Sequence, residues 1–406
     1  MNHEMLLADV FRAYYDARKN KRNTSSQLKF EMNLETNLVG LVHEIESRQY
    51  EVGRSICFIV DKPVKREVFA AAFRDRVVHH LLFNYLSPMI ERTFIHDCYS
   101  CRKGYGTLCG INRVAGNIRK CTHNFTRDAY VQKLDISGYF MSINRKILLD
   151  KLFAILTKYA DRKCGKGNLK WNEYIDYETI KYLLVKVVLN NPVDECIFRG
   201  DRAKWQGLPK TKSLFFAKKG CGLPIGNLTS QLFSNVYLSD FDNYMKRDEH
   251  IKYYGRYVDD IIMINSNRQK LNAVRNKVRN MLSSSLGLYL HPNKIYLQSV
   301  SKGFEFLGMR QREAILTPGK RMKHNLESVL TNYLMSISEN ITYGQVLLFR
   351  SKINSYIGLL KHCASKSYIN KIGVRLFCSG NAYLLMDVQN EKTVINERDI
   401  IDAILS

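Results

Sequence analysis

Apolar and polar positions change period several times along the chain, and each change predicts an element. Residues 55–60 (SICFIV) and 129–134 (AYVQKL) are short apolar runs of strand length, whereas 69–86 carries apolar side chains over a length that suits a helix. The second strand ends at Asp135, and a lysine-rich helical segment follows to about residue 189. Over 253–265 the pattern becomes strand, tight turn and isoleucine-rich strand, a hairpin signature with Val258 and Asp259 near its tip. Beyond Gly319 the period is helical again. Ile353, Tyr356, Ile357 and Leu360 share one face, which should pack on a core.

Composition narrows the class. With 406 residues, 45% hydrophobic and 25% charged, the chain can bury a sizeable core as two or three domains or one multi-lobed enzyme, which excludes a disordered tail, a collagen and a disulfide miniprotein. The formal charge of +24 attracts polyanions, so nucleic acid is the first partner to expect and an anionic membrane surface the second. No apolar run approaches membrane-spanning length, so no membrane-spanning role is expected. The charge is uneven: 319–378 holds nine Lys or Arg against Glu327 and Glu339, while 381–406 holds five acids and two bases. A basic helical block of this kind suits gripping a duplex backbone. The run Arg18, Lys19, Lys21, Arg22 reads as a solvated tail rather than a phosphate contact. Residues 1–12 lack the pattern of an export signal, so the ten cysteines are expected as reduced thiols in a cytoplasm.

Three sets of residues invite chemistry. Cys98, Cys101, Cys109 and Cys121, with His96 and His123, suggest zinc, but only one close Cys pair exists and the later spacings fit no standard ribbon, so ordinary thiols are the better reading. Gly104, Gly106 and Gly110 are spaced G-x-G-x-x-x-G, which is a tight turn rather than the dinucleotide fingerprint, and neither a phosphate-binding loop nor an H-E-x-x-H helix is present. The carboxylates are more informative. If Asp135 lay beside the hairpin bearing Asp259 and Asp260, mutual repulsion would raise at least one pKa unless divalent cations neutralised it. Such a group binds Mg²⁺ and leaves coordination positions for phosphates and water. Two ions about 4 Å apart would serve an in-line phosphoryl displacement. Against this, an Asp pair in a turn also arises from local hydrogen bonding alone.

Tyr257, Val258, Asp259 and Asp260 form a YVDD box that resembles the catalytic hairpin of reverse transcriptases, and neighbouring blocks agree in order over roughly residues 18–375. Residues 134–140 (LDISGYF) resemble the first catalytic strand, which implies Asp135 as a metal ligand assisted by the carbonyl of Ile136. Phe140 falls where the family places an aromatic against the sugar 2′ side; an ordinary core Phe is the alternative. Residues 222–231 (GLPIGNLTSQ) resemble the template- and nucleotide-contacting block, but Ile225 and Gln231 stand where most of the family has Gln and Pro. Ile225, Gly226, Ser230 and Gln231 match the I-G-x-x-x-S-Q signature of diversity-generating retroelement enzymes. An apolar Ile cannot make the amide's hydrogen bond to the nucleotide, which should weaken discrimination by about 1 kcal/mol per lost bond.

The remaining blocks extend the resemblance. His291, Pro292, Asn293 and Lys294 resemble the segment whose Lys protonates departing pyrophosphate, Phe306, Leu307 and Gly308 the primer grip, and residues 355–362 (SYIGLLKH) the start of the thumb. Among the bases Lys62, Arg66, Arg74 and Arg76, Lys62 and Arg66 are the preferred triphosphate contacts. The resemblance implies an α+β right-hand polymerase with an antiparallel palm sheet and a helical thumb: fingers in 1–128, palm in 129–318 with an insertion at about 150–222, thumb and tail in 319–406. It implies two Mg²⁺ ions, with Mn²⁺ as a substitute, and template RNA, a primer or cDNA strand and dNTPs as partners. For the retroelement type it adds adenine-mutagenised cDNA, a small basic accessory oligomer and a bacterial or phage source. A retron-type or antiphage reverse transcriptase, and a catalytically silent RNA-binding polymerase fold, are the alternatives.

Overall fold

The computed structural model describes residues 3–19, 24–61, 64–165, 168–337, 342–378, 384–387 and 392–395. Ten strands carry its main sheets. They are β1 (Ile56–Val60), β2 (Arg66–Ala70), β3 (Tyr130–Asp135), β4 (Ile197–Phe198), β5 (Tyr253–Tyr257), β6 (Asp260–Asn265), β7 (Tyr296–Ser299), β8 (Phe304–Phe306), β9 (Met309–Arg312) and β10 (Ile315–Pro318). They form sheets ordered β2-β1-β4, β5-β6-β3-β7 and β10-β9-β8, so the fold is α+β with antiparallel hairpins, as the sequence implies. The chain divides into two compact units, Met1–Gly110 with Gln132–Leu297, and Ile111–Val131 with Gln298–Ser406. No helix among the described residues is long and apolar enough to cross a membrane.

In the first unit, helix Phe73–Ile90 is the central core element, burying Val77, Val78, Leu81, Leu82 and Met89. Helices His3–Arg18 and Leu228–Tyr237 pack against it. The helix expected from residue 69 therefore starts four residues later. Phe69 and Ala70 instead complete β2, where they pair with Cys57 and Ile56, because Glu67 to Ala70 alternate buried and half-buried positions as a strand requires. The lysine-rich helix expected up to residue 189 is interrupted: Arg145–Tyr159 and Tyr177–Leu189 are separated by a turn and the short helix Trp171–Tyr174. Arg18 is not a solvated tail either, since its Nε donates to Glu31 Oε1 at 2.6 Å; Lys21 and Arg22 lie outside the described residues.

The second unit pairs the β8-β9-β10 meander with helices Lys320–Ile337, Tyr343–Leu360 and Lys366–Cys378. Leu326, Leu330, Phe349, Ile353, Ile357 and Leu360 form its core, and the Tyr333 and Phe349 rings stack with centroids 3.7 Å apart. Tyr356, on the same expected face, is only half-buried against this core.

β5 and β6 pair from Tyr253↔Ile264 to Tyr257↔Asp260, leaving Val258 and Asp259 as a two-residue turn. Val258 takes φ 57°, a left-handed conformation that a β-branched residue adopts at a cost of roughly 1–3 kcal/mol. The turn is held from below. Val258 N–H donates to Ser100 Oγ at 3.1 Å, and Arg256 Nη1 donates to Val258 O at 2.7 Å. Arg256 and Asp242 are both fully buried; Arg256 Nη2 donates to Asp242 Oδ2 at 2.6 Å and Nε to Oδ1 at 2.8 Å. Tyr254 Oη donates to the same carboxylate at 2.5 Å, and Arg256 Nη1 also reaches Asn235 Oδ1 at 3.1 Å. Burial disfavours the guanidinium charge, but the Asp242 carboxylate and Cys98 override it and hold Arg256 well above its ordinary pKa. Arg256→Ala would strand a buried carboxylate and is expected to lose about 3–5 kcal/mol in chemical denaturation, whereas the apolar pair Arg256→Met with Asp242→Leu should recover most of that loss.

Candidate active site

β3 ends on Asp135, and the segment after it pairs with residues 289–291. Ser137 N–H donates to Tyr289 O at 2.8 Å, His291 N–H donates to Asp135 O at 2.7 Å, and Ile136 bridges Leu290. A short 3₁₀ turn, Pro292–Lys294, then bends the chain back so that Lys294 Nζ donates to Asp135 Oδ2 at 2.6 Å. Because β6 lies beside β3, the turn carrying Asp259 and Asp260 comes to the same strand ends as Asp135. The three carboxylates interact. Burial, then the charge of Asp135, then that of Asp260, push Asp259 up to about 6. Burial also raises Asp260, with Asp135 adding to it and Lys133 opposing it.

Two lysines answer this repulsion. Lys133 Nζ lies 3.2 Å from Asp260 Oδ2, and Lys294 holds Asp135. Lys133 was not singled out from the sequence, although a signal existed: two residues before Asp135 in a strand, it must face the same side. Ser100, Asn235 and Asp242, which brace the turn, carry no such local signal. No three His, Cys, Asp or Glu side chains among the described residues are gathered closely enough to enclose an ion by themselves. The donor chemistry nevertheless fits Mg²⁺. Grouped carboxylates, two of them with raised pKa values, and two ammonium groups in contact with them mark a place where positive charge is needed, and Mg²⁺ keeps several ligands from water and phosphate in any case.

The other expected residues fall into separate places. Phe140 and Ile225 meet in one apolar cluster with Cys57, Phe69, Met141 and Leu214, and the Phe140 ring sits edge-on to Tyr139 at 5.7 Å. Ile225 O accepts Phe69 N–H at 2.8 Å, docking the 222–231 block onto β2. Gly226 has φ 127°, and a Cβ there would lie 2.7 Å from Phe69 O, so only glycine fits this approach. Gln231 is exposed on helix Leu228–Tyr237 and its Oε1 accepts the Cys101 thiol at 3.7 Å. Arg66 is exposed at the start of β2, and Lys62 lies outside the described residues. Phe306, Leu307 and Gly308 belong to the second unit, at the two-residue turn between β8 and β9; Phe306 is buried, which leaves Leu307 and Gly308 as the more open positions.

Comparison with known proteins places this geometry. The chain is 23% identical over 275 residues to Protein YkfC of Escherichia coli (strain K12), an alignment covering 59% of this chain and 61% of that protein. Among solved structures it is similar to apo telomerase from Candida tropicalis truncated from its C-terminal domain (TM-score 0.45, 14% identity, 65% of this chain and 55% of that one). It is also similar to telomerase from Candida albicans with the TWJ fragment of telomeric RNA (TM-score 0.45, 9% identity, 82% and 61%). Residues 65–311, more than half of the chain and including every aspartate of the site, match the family described as reverse transcriptase (RNA-dependent DNA polymerase), and the chain belongs to that family.

Proposed function

We propose that this protein is an RNA-directed DNA polymerase that extends a primer with dNTPs on an RNA template, and that it is of the diversity-generating retroelement type. The observation that carries the polymerase reading is the meeting of Asp135, Asp259 and Asp260 at adjacent strand ends with Lys133 and Lys294 against them. Asp135, Asp259, Asp260 and the Ile136 carbonyl would hold two Mg²⁺ ions, or Mn²⁺ in their stead. When bound, the metal supplies Lewis-acid charge at the reacting phosphate oxygens.

The chain's own residues do the rest. In the free protein Lys133 and Lys294 satisfy the acids; when nucleotide arrives, Lys294 exchanges Asp135 for the triphosphate. The primer 3′ hydroxyl gives its proton to solvent water as its oxygen bonds to the α-phosphorus, the bond from that phosphorus to the oxygen bridging it to the β-phosphate breaks, and Lys294 gives a proton to the departing pyrophosphate. Arg66 and Lys62 are assigned to the triphosphate and the Leu307–Gly308 turn to the primer. Gly226 and Gln231 are assigned to the nucleotide and template side. Phe140, in the same apolar cluster as Ile225, is assigned to the sugar 2′ position, where a hydroxyl would meet a ring without a partner. We divide the chain into fingers (1–128), palm (129–318, with its insertion) and thumb (319–406).

The retroelement assignment rests on Ile225 and Gln231. Ile225 packs among Phe69, Met141 and Leu214 and brings no polar atom to the nucleotide, so base geometry is checked less strictly. On this reading the product is adenine-mutagenised cDNA of a template repeat, made in a bacterial or phage-infected cytoplasm with a small basic accessory oligomer.

Asp259→Ala is expected to lower primer extension on an RNA template roughly 10³-fold, since several kcal/mol of charge stabilisation are lost; equal activity in both proteins would refute the assignment. Saturating Mg²⁺ should raise the melting temperature of the wild type by several degrees and leave Asp259→Ala almost unmoved, as read by differential scanning fluorimetry. Ile225→Gln should reduce misincorporation opposite template adenine about 5-fold, the equivalent of one recovered hydrogen bond, in sequenced products.

A further inference from the structure

Segment 199–219 carries seven Lys or Arg and a single acid, Asp201, whose carboxylate is occupied in capping Ala203 N–H at 2.8 Å. All seven cations are exposed, and none forms an ion pair among the described residues. Phe215 and Phe216 diverge. Phe215 stacks on Phe198 at 5.7 Å inside the apolar cluster, whereas Phe216 is 61% exposed with Lys210 Nζ 5.3 Å from its ring centroid.

The segment is held firmly. Buried Glu67 accepts Trp205 Nε1–H at 2.8 Å, Ser213 Oγ–H at 2.9 Å and Leu214 N–H at 2.7 Å, and Lys65 Nζ donates to Gln206 O at 2.8 Å. It is also seated close to the catalytic strand end. Gly138, three residues past Asp135, approaches Thr211 so nearly that a Cβ would lie 2.6 Å from Thr211 O. An exposed ring beside unpaired ammonium groups, on a rigid support, is the arrangement that stacks one base and holds the flanking phosphates of an unpaired strand.

We propose that this segment is a platform for the single-stranded part of the template RNA ahead of the primer end, with an unpaired base on Phe216 and its phosphates against Lys210, Lys212, Lys218 and Lys219. That the strand is the template rests on the polymerase reading; the platform itself is tested by binding without nucleotides. Fluorescence anisotropy would compare three RNA–DNA duplexes: blunt, with a 5′ overhang of the RNA template, and with a 3′ overhang of the DNA primer.

In the wild type the template overhang is expected to tighten binding at least about 5-fold, near the lower limit for one stacked base. Phe216→Ala should remove that gain, Phe216→Trp should keep it, and blunt-duplex affinity should be the same in all three. Lys210→Ala with Lys212→Ala should flatten the salt dependence of overhang binding, because phosphate contacts are lost. The platform is overturned if Phe216→Ala retains the overhang gain, or if its effect appears with the DNA overhang instead. Absence of primer extension with intact overhang discrimination would sink the polymerase reading and leave the platform standing.

Discussion

Mutual repulsion among three carboxylates is the constraint around which the first unit is built. Asp135, Asp259 and Asp260 come from strand ends that chain folding sets side by side, and burial there lifts Asp259 to about 6. Like charges stay grouped only when something else holds the backbone and something positive answers them. Lys133 and Lys294 supply the positive charge. The backbone is held by the Arg256–Asp242 pair and Ser100, which together keep Val258 at a positive φ that isolated sequence preference disfavours. A glycine or asparagine would relax into that turn more easily; here its conformation is imposed by the bonds made to it.

A second buried carboxylate ties the basic segment to the framework of the first unit. Glu67, on β2, is a buried carboxylate fully engaged by three donors from the 199–219 segment. β2 also receives Ile225 and Gly226, so one short strand ties the basic segment and the 222–231 block to the same framework. Shared attachment of that sort couples the two segments, since neither can shift without disturbing β2.

Much of this was legible in one dimension, where the signal was local. The hairpin over 253–265 appeared as expected because an isoleucine-rich run and a two-residue break need no distant information. The face of Ile353, Ile357 and Leu360 packs inward for the same reason. Local reading failed where a distant partner decided the outcome. Residues 69 and 70 look helical beside the apolar run that follows, yet hydrogen bonding to β1 makes them strand. Arg18 looks like part of a basic tail until Glu31 is brought beside it.

Residue identity alone determined the overall charge, the class of elements and the family, because these depend on composition, on short periods and on motifs in order. It also named the acids. Only the tertiary structure decided that Lys133 faces Asp260, that Lys294 returns to Asp135, that Arg256 supports the strained turn, and that Phe216 points outward while its neighbour Phe215 is half-buried in an apolar cluster. The physical reason is one of range. Periodicity records which face a side chain takes on its own element, whereas a charge or an aromatic ring acquires its role from whatever the fold places within a few ångströms of it, often more than a hundred residues away.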